Sequence, residues 1–214
     1  MMTLVGQYDS PFVRRVAITL HHYGFPFRRN PISVFGDADK MAQINPVVRI
    51  PSLILEDGGV LIDSGAIIDY LDGLVGPERS LTPASGAERQ RVLQIMAYAT
   101  GAIDKLGTIV YERAFHRPEQ VNEDWMARCR KQLEGAVAVL EEIPKEPYFL
   151  GEGLSQADIT AGAMMGYIKL RPDHAPRAGA YPSLDKLSDR LEALDAFRAA
   201  RPSPQETMPA TVRG

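Results

Sequence analysis

The segment "PSLILEDGGVLIDS", residues 51–64, decides the fold class of the first half of the chain. Two runs of aliphatic residues flank Asp57-Gly58-Gly59, and an Asp-Gly pair between apolar runs favours the tight turn of a β-hairpin. We expect a helix directly after the hairpin, from Ser64 to about Val75. A hairpin that leads straight into a helix predicts a sheet with helices packed against it.

The residues before this hairpin add two strands and two helices. "TLVGQY" (residues 3–8) is a short β-rich run, residues 11–23 have helical periodicity, and "HYGFPFRRNPISV" (residues 22–34) supplies a glycine turn and a second strand. A short helix is expected around "GDADKMAQINP" (residues 36–46). The order β-α-β-(short helix)-β-β-α predicts a small α/β domain with a mixed four-stranded sheet.

The second half of the chain contains no convincing strand. "GPERSLTPASG" (residues 76–86) marks a domain boundary, and "PSPQETMPATVRG" (residues 202–214) is expected to be a mobile tail. The sequence therefore predicts an α/β domain over residues 1–77 and an all-helical domain over residues 85–204. Between the boundary and the tail we expect four helices, near residues 85–115, 121–143, 156–170 and 183–199.

Ser155 and Asp158 precede an apolar run with the spacing of a capping box. In this arrangement each side chain supports the first turn of the helix that follows. We therefore interpret both residues as structural and place neither in a functional site.

Composition limits the classes of partner. The 214 residues carry 24 basic and 27 acidic side chains, a net charge of −3, so no strong positive field exists to hold nucleic acid or an anionic membrane. The first ten residues lack a signal-peptide pattern, and no apolar run reaches membrane-spanning length. We expect a cytoplasmic protein whose partners are small molecules.

The one cysteine, Cys129, excludes an internal disulfide, and its helical surroundings predict a packed thiol. The four histidines show no ligand spacing with a second histidine, a cysteine or a carboxylate. The sequence therefore indicates no metal site.

"YDSPFVRRV" (residues 8–16) contains the first candidate for chemistry. Ser10 is a favourable N-cap and Pro11 suits the first helical position. The residues leave open whether Ser10 is only a cap or also a reactive-site hydroxyl. Arg14 and Arg15 follow on the same helix, where we expect one of them to pair internally with an acid and neither to belong to the site.

Two other loops offer groups for a ligand. Pro51 stands at the start of a strand, and a cis Ile50–Pro51 bond would turn the backbone N–H and C=O of Ile50 outward toward a peptide-like ligand; an ordinary trans bond is the alternative. Asp63 and Ser64 lie at a strand-to-helix turn, where Ser64 is expected to cap the helix. The free N–H groups there would hold a carboxylate and Asp63 an ammonium, unless the turn is only a cap.

"SPFVRRV", "NPVVRIP", "DSGAI" and "SQADIT", in this order and spacing, make the chain resemble a cytosolic glutathione S-transferase over essentially its whole length. The resemblance implies a thioredoxin-like first domain, an all-helical second domain, glutathione as co-substrate without a metal, and a homodimer. It also implies that Pro51 is cis, that the Ile50 backbone pairs with the cysteinyl part of glutathione, and that Asp63 and Ser64 hold its γ-glutamyl end. Arg49 aligns with a residue that reaches the glycine carboxylate, although a solvated arginine is an equal alternative.

The "SPF" start is similar to the bacterial serine-type members of that family, in which the resemblance implies that Ser10 stabilises the thiolate. Tyr8 keeps a tyrosine-type alternative open. A free thiol with a pKa near 8.5 is only about 3% thiolate at pH 7, so a hydroxyl donor at the sulfur has a clear chemical purpose. The Ser10 oxygen accepts as a cap while its O–H donates to the sulfur, so the two roles are compatible.

The resemblance points to further candidates in the helical half. Asp104 aligns with the cleft between subunits, where it would approach the glutamyl ammonium of the neighbouring subunit, although a solvated helix charge is the simpler interpretation. Tyr111 and Arg113 are candidate walls of the second-substrate pocket. We expect Trp125 in the core.

Two functions remain open on the sequence. The first is an enzyme that adds the glutathione thiolate to a small electrophile or uses it to reduce a peroxide. The second is a non-catalytic module of the same fold that binds glutathione or a protein. Ser10, Ile50, Pro51, Asp63 and Ser64 together favour the enzyme.

Overall fold

A four-stranded mixed sheet forms the centre of the first half of the chain, as the sequence predicts. In the computed structural model, which describes residues 1–207, the strand order is β2-β1-β3-β4. β1 pairs in parallel with β2, and the other two pairs are antiparallel. The strands are β1 (Met2–Val5), β2 (Phe27–Asn30), β3 (Ser52–Ile54) and β4 (Val60–Ile62).

Strand register brings two loops to one edge of this sheet. Val5, the last residue of β1, stands opposite Asn30 of β2 and Ser52 of β3. The chain that leaves β1 and the chain that enters β3 therefore start from neighbouring positions. This edge carries the loops that hold Ser10 and the Ile50–Pro51 bond.

The chain divides into two compact units. Unit 1 consists of Met1–Thr82 together with the described residues from Glu192 onward, and unit 2 is Pro83–Leu191. The division falls within the predicted boundary segment. Residues 192–204, which the sequence assigned to the helical domain, belong to unit 1.

Unit 1 surrounds its sheet with α1 (Pro11–Tyr23), α2 (Ala38–Ile44) and α3 (Ser64–Val75), and adds the later α8 (Asp195–Ala199) and α9 (Pro204–Thr207). α1 begins at the Ser10 cap and ends at Gly24, whose backbone N–H donates to the carbonyls of Leu20 and His21. Apolar side chains from sheet and helices form the core of the unit: Leu4, Val5, Val13, Val16, Leu20, Leu53, Ile67 and Leu71.

Unit 2 is helical throughout, again as predicted. Its helices are α4 (Gly86–Phe115), α5 (Glu123–Glu142), α6 (Gln156–Lys169) and α7 (Pro182–Glu192), the last of which ends at the unit boundary. The capping box before α6 is confirmed: Asp158 accepts from the Ser155 N–H at 2.9 Å and the Ser155 hydroxyl at 2.6 Å. Cys129 is fully buried as a free thiol, which confirms that expectation.

Two expectations need correction. Trp125 is 41% exposed rather than part of the core, because it lies in the first turn of α5, where only one side of the helix is covered. The segment expected to be a mobile tail contains α9, whose Glu206 is buried against unit 1. The rest of that expectation, residues 208–214, lies outside the described residues. Within residues 1–207, no helix is long and apolar enough to span a bilayer.

Candidate functional site

Ser10 caps α1 and keeps its hydroxyl proton available. Its backbone is extended (φ −71°, ψ 119°), and its Oγ accepts from the Val13 N–H at 3.4 Å. Its carbonyl accepts the Arg14 N–H at 2.9 Å, which closes the first helical turn. Among residues 1–207 the Ser10 O–H has no acceptor. The half-buried hydroxyl thus has a donor function left over for a ligand.

The Ile50–Pro51 bond is cis, which confirms the prediction. Ile50 is half-buried, and neither its backbone N–H nor its C=O has a hydrogen-bond partner within the described part of the chain. Polar backbone groups of this kind at a partly open loop are suited to pair with an extended peptide.

Asn45, which the sequence did not single out, fixes the loop that carries Ile50. Its side-chain amide is 1% exposed and donates to the Arg49 carbonyl at 3.1 Å and the Ser52 Oγ at 3.3 Å, while its oxygen accepts from the Val47 N–H at 2.9 Å. Val48, within the same loop, has φ +54°, a left-handed conformation that β-branched residues rarely adopt. Such a conformation persists only where surrounding contacts enforce it.

Gly6 lets the start of α1 and the cis-proline loop approach each other. Its φ is +127°, and a Cβ at this position would stand 2.6 Å from Cγ2 of Val13 and 3.0 Å from Cβ of Ile50. No side chain fits between these two neighbours. The closeness of Val13 and Ile50 across Gly6 brings the Ser10 helix and the unpaired Ile50 backbone to one place.

Asp63, not Ser64, is the N-cap of α3, so the predicted cap was wrong by one residue. Asp63 has φ +70°, and its Oδ1 accepts from the N–H groups of Gly65 at 2.7 Å and Ala66 at 3.4 Å. Two N–H groups expected to form an anion site therefore already bind this carboxylate. Ser64 occupies the first helical position, 4% exposed, and its N–H and hydroxyl have no partner among the described residues.

Arg15, for which the sequence predicts no place in the site, approaches the same helix start. It is 2% exposed, and its Nε and Nη1 have no hydrogen-bond partner among residues 1–207. Its Nη2 lies 3.9 Å from where a Cβ on Gly65 would stand. Burial lowers the pKa of Arg15 to about 10, and the Asp63 carboxylate opposes that shift. The guanidinium is therefore a cation held beside the first turn of α3.

The internal ion pair expected in α1 is formed by the neighbouring Arg14. Its Nη2 lies 2.7 Å from Glu192, and its Nε donates to the Ala200 carbonyl at 3.2 Å. Two adjacent arginines among the apolar residues of the first helical turns were the available signal. Their different roles depend on partners far away in sequence.

Tyr8 lies in the same loop as Ser10, but its hydroxyl is enclosed. The side chain is 1% exposed, and within residues 1–207 the hydroxyl has no hydrogen-bond partner. Burial raises the pKa of Tyr8 to about 12, although the Arg29 guanidinium, 3.5 Å from the ring centroid, opposes the shift. These surroundings make the hydroxyl of Tyr8 less suited than that of Ser10 to meet a ligand.

Arg49 and the candidates of unit 2 lie on exposed surface. The Arg49 guanidinium has no partner within the described chain. Asp104 is 59% exposed and pairs with Lys105 at 3.2 Å. Tyr111 packs edge-to-face against Phe115, and Arg113 pairs with Glu123 at 2.8 Å. The structure thus places Ser10, Ile50, Pro51, Asp63 and Ser64 in unit 1, and the ligand roles expected of them and of the residues in unit 2 stay predictions. Across the described residues, no cluster of histidine, cysteine and carboxylate side chains is arranged to hold a metal ion.

A mixed four-stranded sheet with a cis-proline loop, followed by a helical unit, is an architecture that this chain shares with solved glutathione transferases. Residues 4–79 match the family description "Glutathione S-transferase, N-terminal domain" and residues 123–200 match "Glutathione S-transferase, C-terminal domain". The chain belongs to the glutathione S-transferase family. Its assignment to the serine-type members stays a prediction.

Individual proteins agree with that assignment over the full length. The uncharacterized GST-like protein YibF of Escherichia coli is 30% identical over 202 residues, which cover 94% of this chain and 98% of that protein. A maleylacetoacetate isomerase of Pseudomonas aeruginosa is 28% identical over 98% of this chain and 100% of its own length. A glutathione transferase family member from Pseudomonas fluorescens, solved with bound glutathione, has a TM-score of 0.84 and 31% identity over 95% of this chain and 100% of that one.

Proposed function

We propose that the protein is an enzyme that binds glutathione, holds its thiol as the thiolate through Ser10, and transfers it to a small electrophile. The observation that carries the proposal is the Ser10 hydroxyl, which has an unused proton at the start of the helix whose Val13 meets Ile50 across Gly6. The solved relative with bound glutathione supports the choice of ligand. The proposal also includes a second activity of the enzyme, the reduction of a peroxide by the same thiolate.

The separate groups of unit 1 match separate parts of the tripeptide. The N–H and C=O of Ile50 would pair with the cysteinyl backbone, as one strand pairs with another. The N–H and hydroxyl of Ser64 would receive the γ-glutamyl carboxylate, and the exposed Asp63 its ammonium group. Arg49 is free to reach the glycine carboxylate. These contacts leave the sulfur at Ser10, where α1 begins.

The energy required at the sulfur is within reach of these groups. Lowering the thiol pKa by about two units from 8.5 requires about 2.7 kcal/mol of preferential stabilisation of the anion. A hydrogen bond from an O–H to a thiolate and the positive end of a helix are each of the order of 1 kcal/mol or more. Ser10 neither loses its proton nor forms a covalent bond in this mechanism.

Isomerisation is a second candidate, favoured by the full-length similarity to a maleylacetoacetate isomerase. A thiolate that adds to an activated carbon–carbon double bond turns it into a single bond, which rotates before the thiolate leaves. Glutathione is regenerated, so the same groups serve this reaction. The non-catalytic module is the remaining alternative.

Calorimetric titration with glutathione, combined with the pH dependence of thiolate ultraviolet absorbance, tests the proposal. Wild type should bind glutathione with a thiol pKa well below 8.5. Ser10→Ala should bind similarly but lose that depression. Wild type that binds without lowering the thiol pKa would support the module, and absence of glutathione binding would leave only a protein-binding role.

Ser10→Asp separates the cap from the donor. Aspartate keeps an oxygen that accepts from the helix N–H, whereas alanine loses it at a cost of about 1 kcal/mol. An ionised aspartate has no proton to give to the sulfur. We expect Ser10→Asp to unfold at a higher urea concentration than Ser10→Ala, yet to raise the thiol pKa at least as much. If glutathione bound to Ser10→Asp keeps the lowered thiol pKa of wild type, Ser10 is only a cap.

A further inference from the structure

Glu206 is a buried carboxylate in the last described helix of the chain. It is 7% exposed, and carboxylates are rarely this buried unless they are paired. Its Oε1 accepts from the Tyr8 N–H at 2.9 Å and lies 2.7 Å from Nη2 of Arg29. Its Oε2 accepts from the Ser203 N–H at 2.9 Å. Burial acts to raise the pKa of Glu206, but these donors outweigh it, so the net pKa lies below the usual value.

Arg29 and Glu206 together hold Tyr8 without using its hydroxyl. The guanidinium of Arg29 covers the Tyr8 ring while it pairs with Glu206, and Glu206 binds the Tyr8 backbone. Tyr8 is therefore held through its ring and its backbone N–H, because its hydroxyl has no partner in the described residues.

Tyr8 stands at the middle of the connection between β1 and α1, two residues before Ser10. One end of this connection is held by the Gly6 N–H, which donates to the Asn30 carbonyl at 2.9 Å. At the other end, the Ser10 N–H donates to the Gln7 carbonyl at 3.2 Å, within the connection itself. The bond to Glu206 therefore links the middle of the connection to a residue 198 positions away.

We propose that Glu206 is a positioning residue, which fixes the β1–α1 connection so that the Ser10 hydroxyl stays directed at the glutathione sulfur. This inference rests on the proposed function. It assigns to the C-terminal segment a part in thiolate formation, without contact between Glu206 and glutathione. A displacement of about 1 Å at a reacting group lowers rates up to about a hundredfold, so a backbone anchor this close to Ser10 has a measurable effect.

Glu206→Ala tests the inference through the thiol pKa of bound glutathione. We expect that pKa to rise by about one unit, which lowers the thiolate fraction about fivefold at the pH of the wild-type midpoint. At the pH of the wild-type midpoint the Kd for glutathione should change less than about threefold, because the pKa shift alone weakens binding about twofold there and the groups that bind the tripeptide lie in other loops. With a small electrophile, kcat should fall while KM for glutathione stays near wild type.

Matched variants separate positioning from folding. Glu206→Gln leaves one carbonyl oxygen for the two N–H groups of Tyr8 and Ser203 and loses the charge opposite Arg29, so we expect a smaller shift of the same sign. If Glu206→Ala does not fold, the thiol pKa measured with Glu206→Gln tests the inference instead. Glu119→Gln removes an exposed partner of Arg117 and should leave every measurement unchanged. Truncation after Pro202 removes Glu206 with its helix and should shift the thiol pKa in the same direction as Glu206→Ala.

The double variant Ser10→Ala/Glu206→Ala shows whether Glu206 acts through Ser10. Its thiol pKa should equal that of Ser10→Ala alone, because no hydroxyl is left to position. An unchanged thiol pKa in Glu206→Ala, or an equal shift with and without Ser10, would overturn the inference while the proposed function stands. If wild type itself shows no lowered thiol pKa, both proposals fail.

Discussion

Replacement of Gly6 by alanine tests whether the approach of α1 to the cis-proline loop holds the site together. The new Cβ would stand 2.6 Å from Val13 Cγ2, 3.0 Å from Ile50 Cβ and 3.2 Å from Ile50 Cγ2. Val13 is fully buried and cannot move outward. The positive φ costs about 1–3 kcal/mol, and the insertion of a methyl group into packed surroundings adds about 1–3 kcal/mol. We therefore expect Gly6→Ala to lose about 2–6 kcal/mol of unfolding free energy.

Gly24→Ala is the matched control, because Gly24 also has a positive φ (+75°) but no described atom lies within 4 Å of its Cβ position. Gly24→Ala should lose only the unfolding free energy that the positive φ costs, about 1–2 kcal/mol. Urea unfolding followed by circular dichroism measures both variants. Calorimetry should show glutathione binding weakened at least about tenfold in Gly6→Ala and unchanged in Gly24→Ala. Equal losses of stability, or normal glutathione binding by folded Gly6→Ala, would refute the steric argument.

Two further substitutions probe buried groups near the site. Because burial raises the pKa of Tyr8 from 10 to about 12, the folded state keeps a proton that the unfolded state loses. Up to about 3 kcal/mol of stability present below pH 10 should therefore be lost as the pH rises toward 12. In this range the urea unfolding of Tyr8→Phe should depend less on pH than that of wild type. The thiol pKa of glutathione bound to Tyr8→Phe should equal the wild-type value. Arg15→Met removes a buried cation without hydrogen-bond partners for Nε and Nη1 in the described chain, so the urea midpoint should hold or rise. Because this cation lies beside the first turn of α3, where we propose that Ser64 receives the γ-glutamyl carboxylate, glutathione should bind about tenfold more weakly. A less stable Arg15→Met with unchanged binding would make that arginine purely structural.

The features that sequence predicted well are those decided by chemistry within a few residues. Ser10 before Pro11 starts a helix, Asp57-Gly58-Gly59 turns a hairpin, and Ser155 with Asp158 forms a capping box, each through groups at most three positions apart. The cis Ile50–Pro51 bond was different. Local residues left it open, and only the order of several motifs along the chain indicated it.

Features that depend on distant partners were missed or misplaced. Asp63 and Ser64 are both good caps, and the structure selects Asp63, which has a positive φ and accepts the N–H groups of Gly65 and Ala66. Arg15 has the same local surroundings as Arg14, yet one meets Glu192 and the other lies buried near α3.

The C-terminal segment shows the same limit most clearly. Its prolines and polar residues are typical of a mobile tail, so composition alone favours that interpretation. The buried carboxylate of Glu206 finds partners on β2 and in the β1–α1 connection. No pattern around Glu206 contains information about a backbone N–H donor 198 positions earlier.

The long cap bond of Ser10 explains why such distant contacts matter for its chemistry. At 3.4 Å the bond from the Val13 N–H to Oγ is weak, whereas the Arg14 N–H to the Ser10 carbonyl, at 2.9 Å, is a normal helical bond. The helix start therefore depends more on the main chain and Pro11 than on the hydroxyl, and the cap does little to hold Oγ in one direction. That direction must instead come from the backbone before Ser10, which Gly6 fixes from one side and Glu206 from the other. A serine whose hydroxyl is only lightly engaged by its own helix keeps a proton to donate to a thiolate, provided that the rest of the fold holds its main chain still.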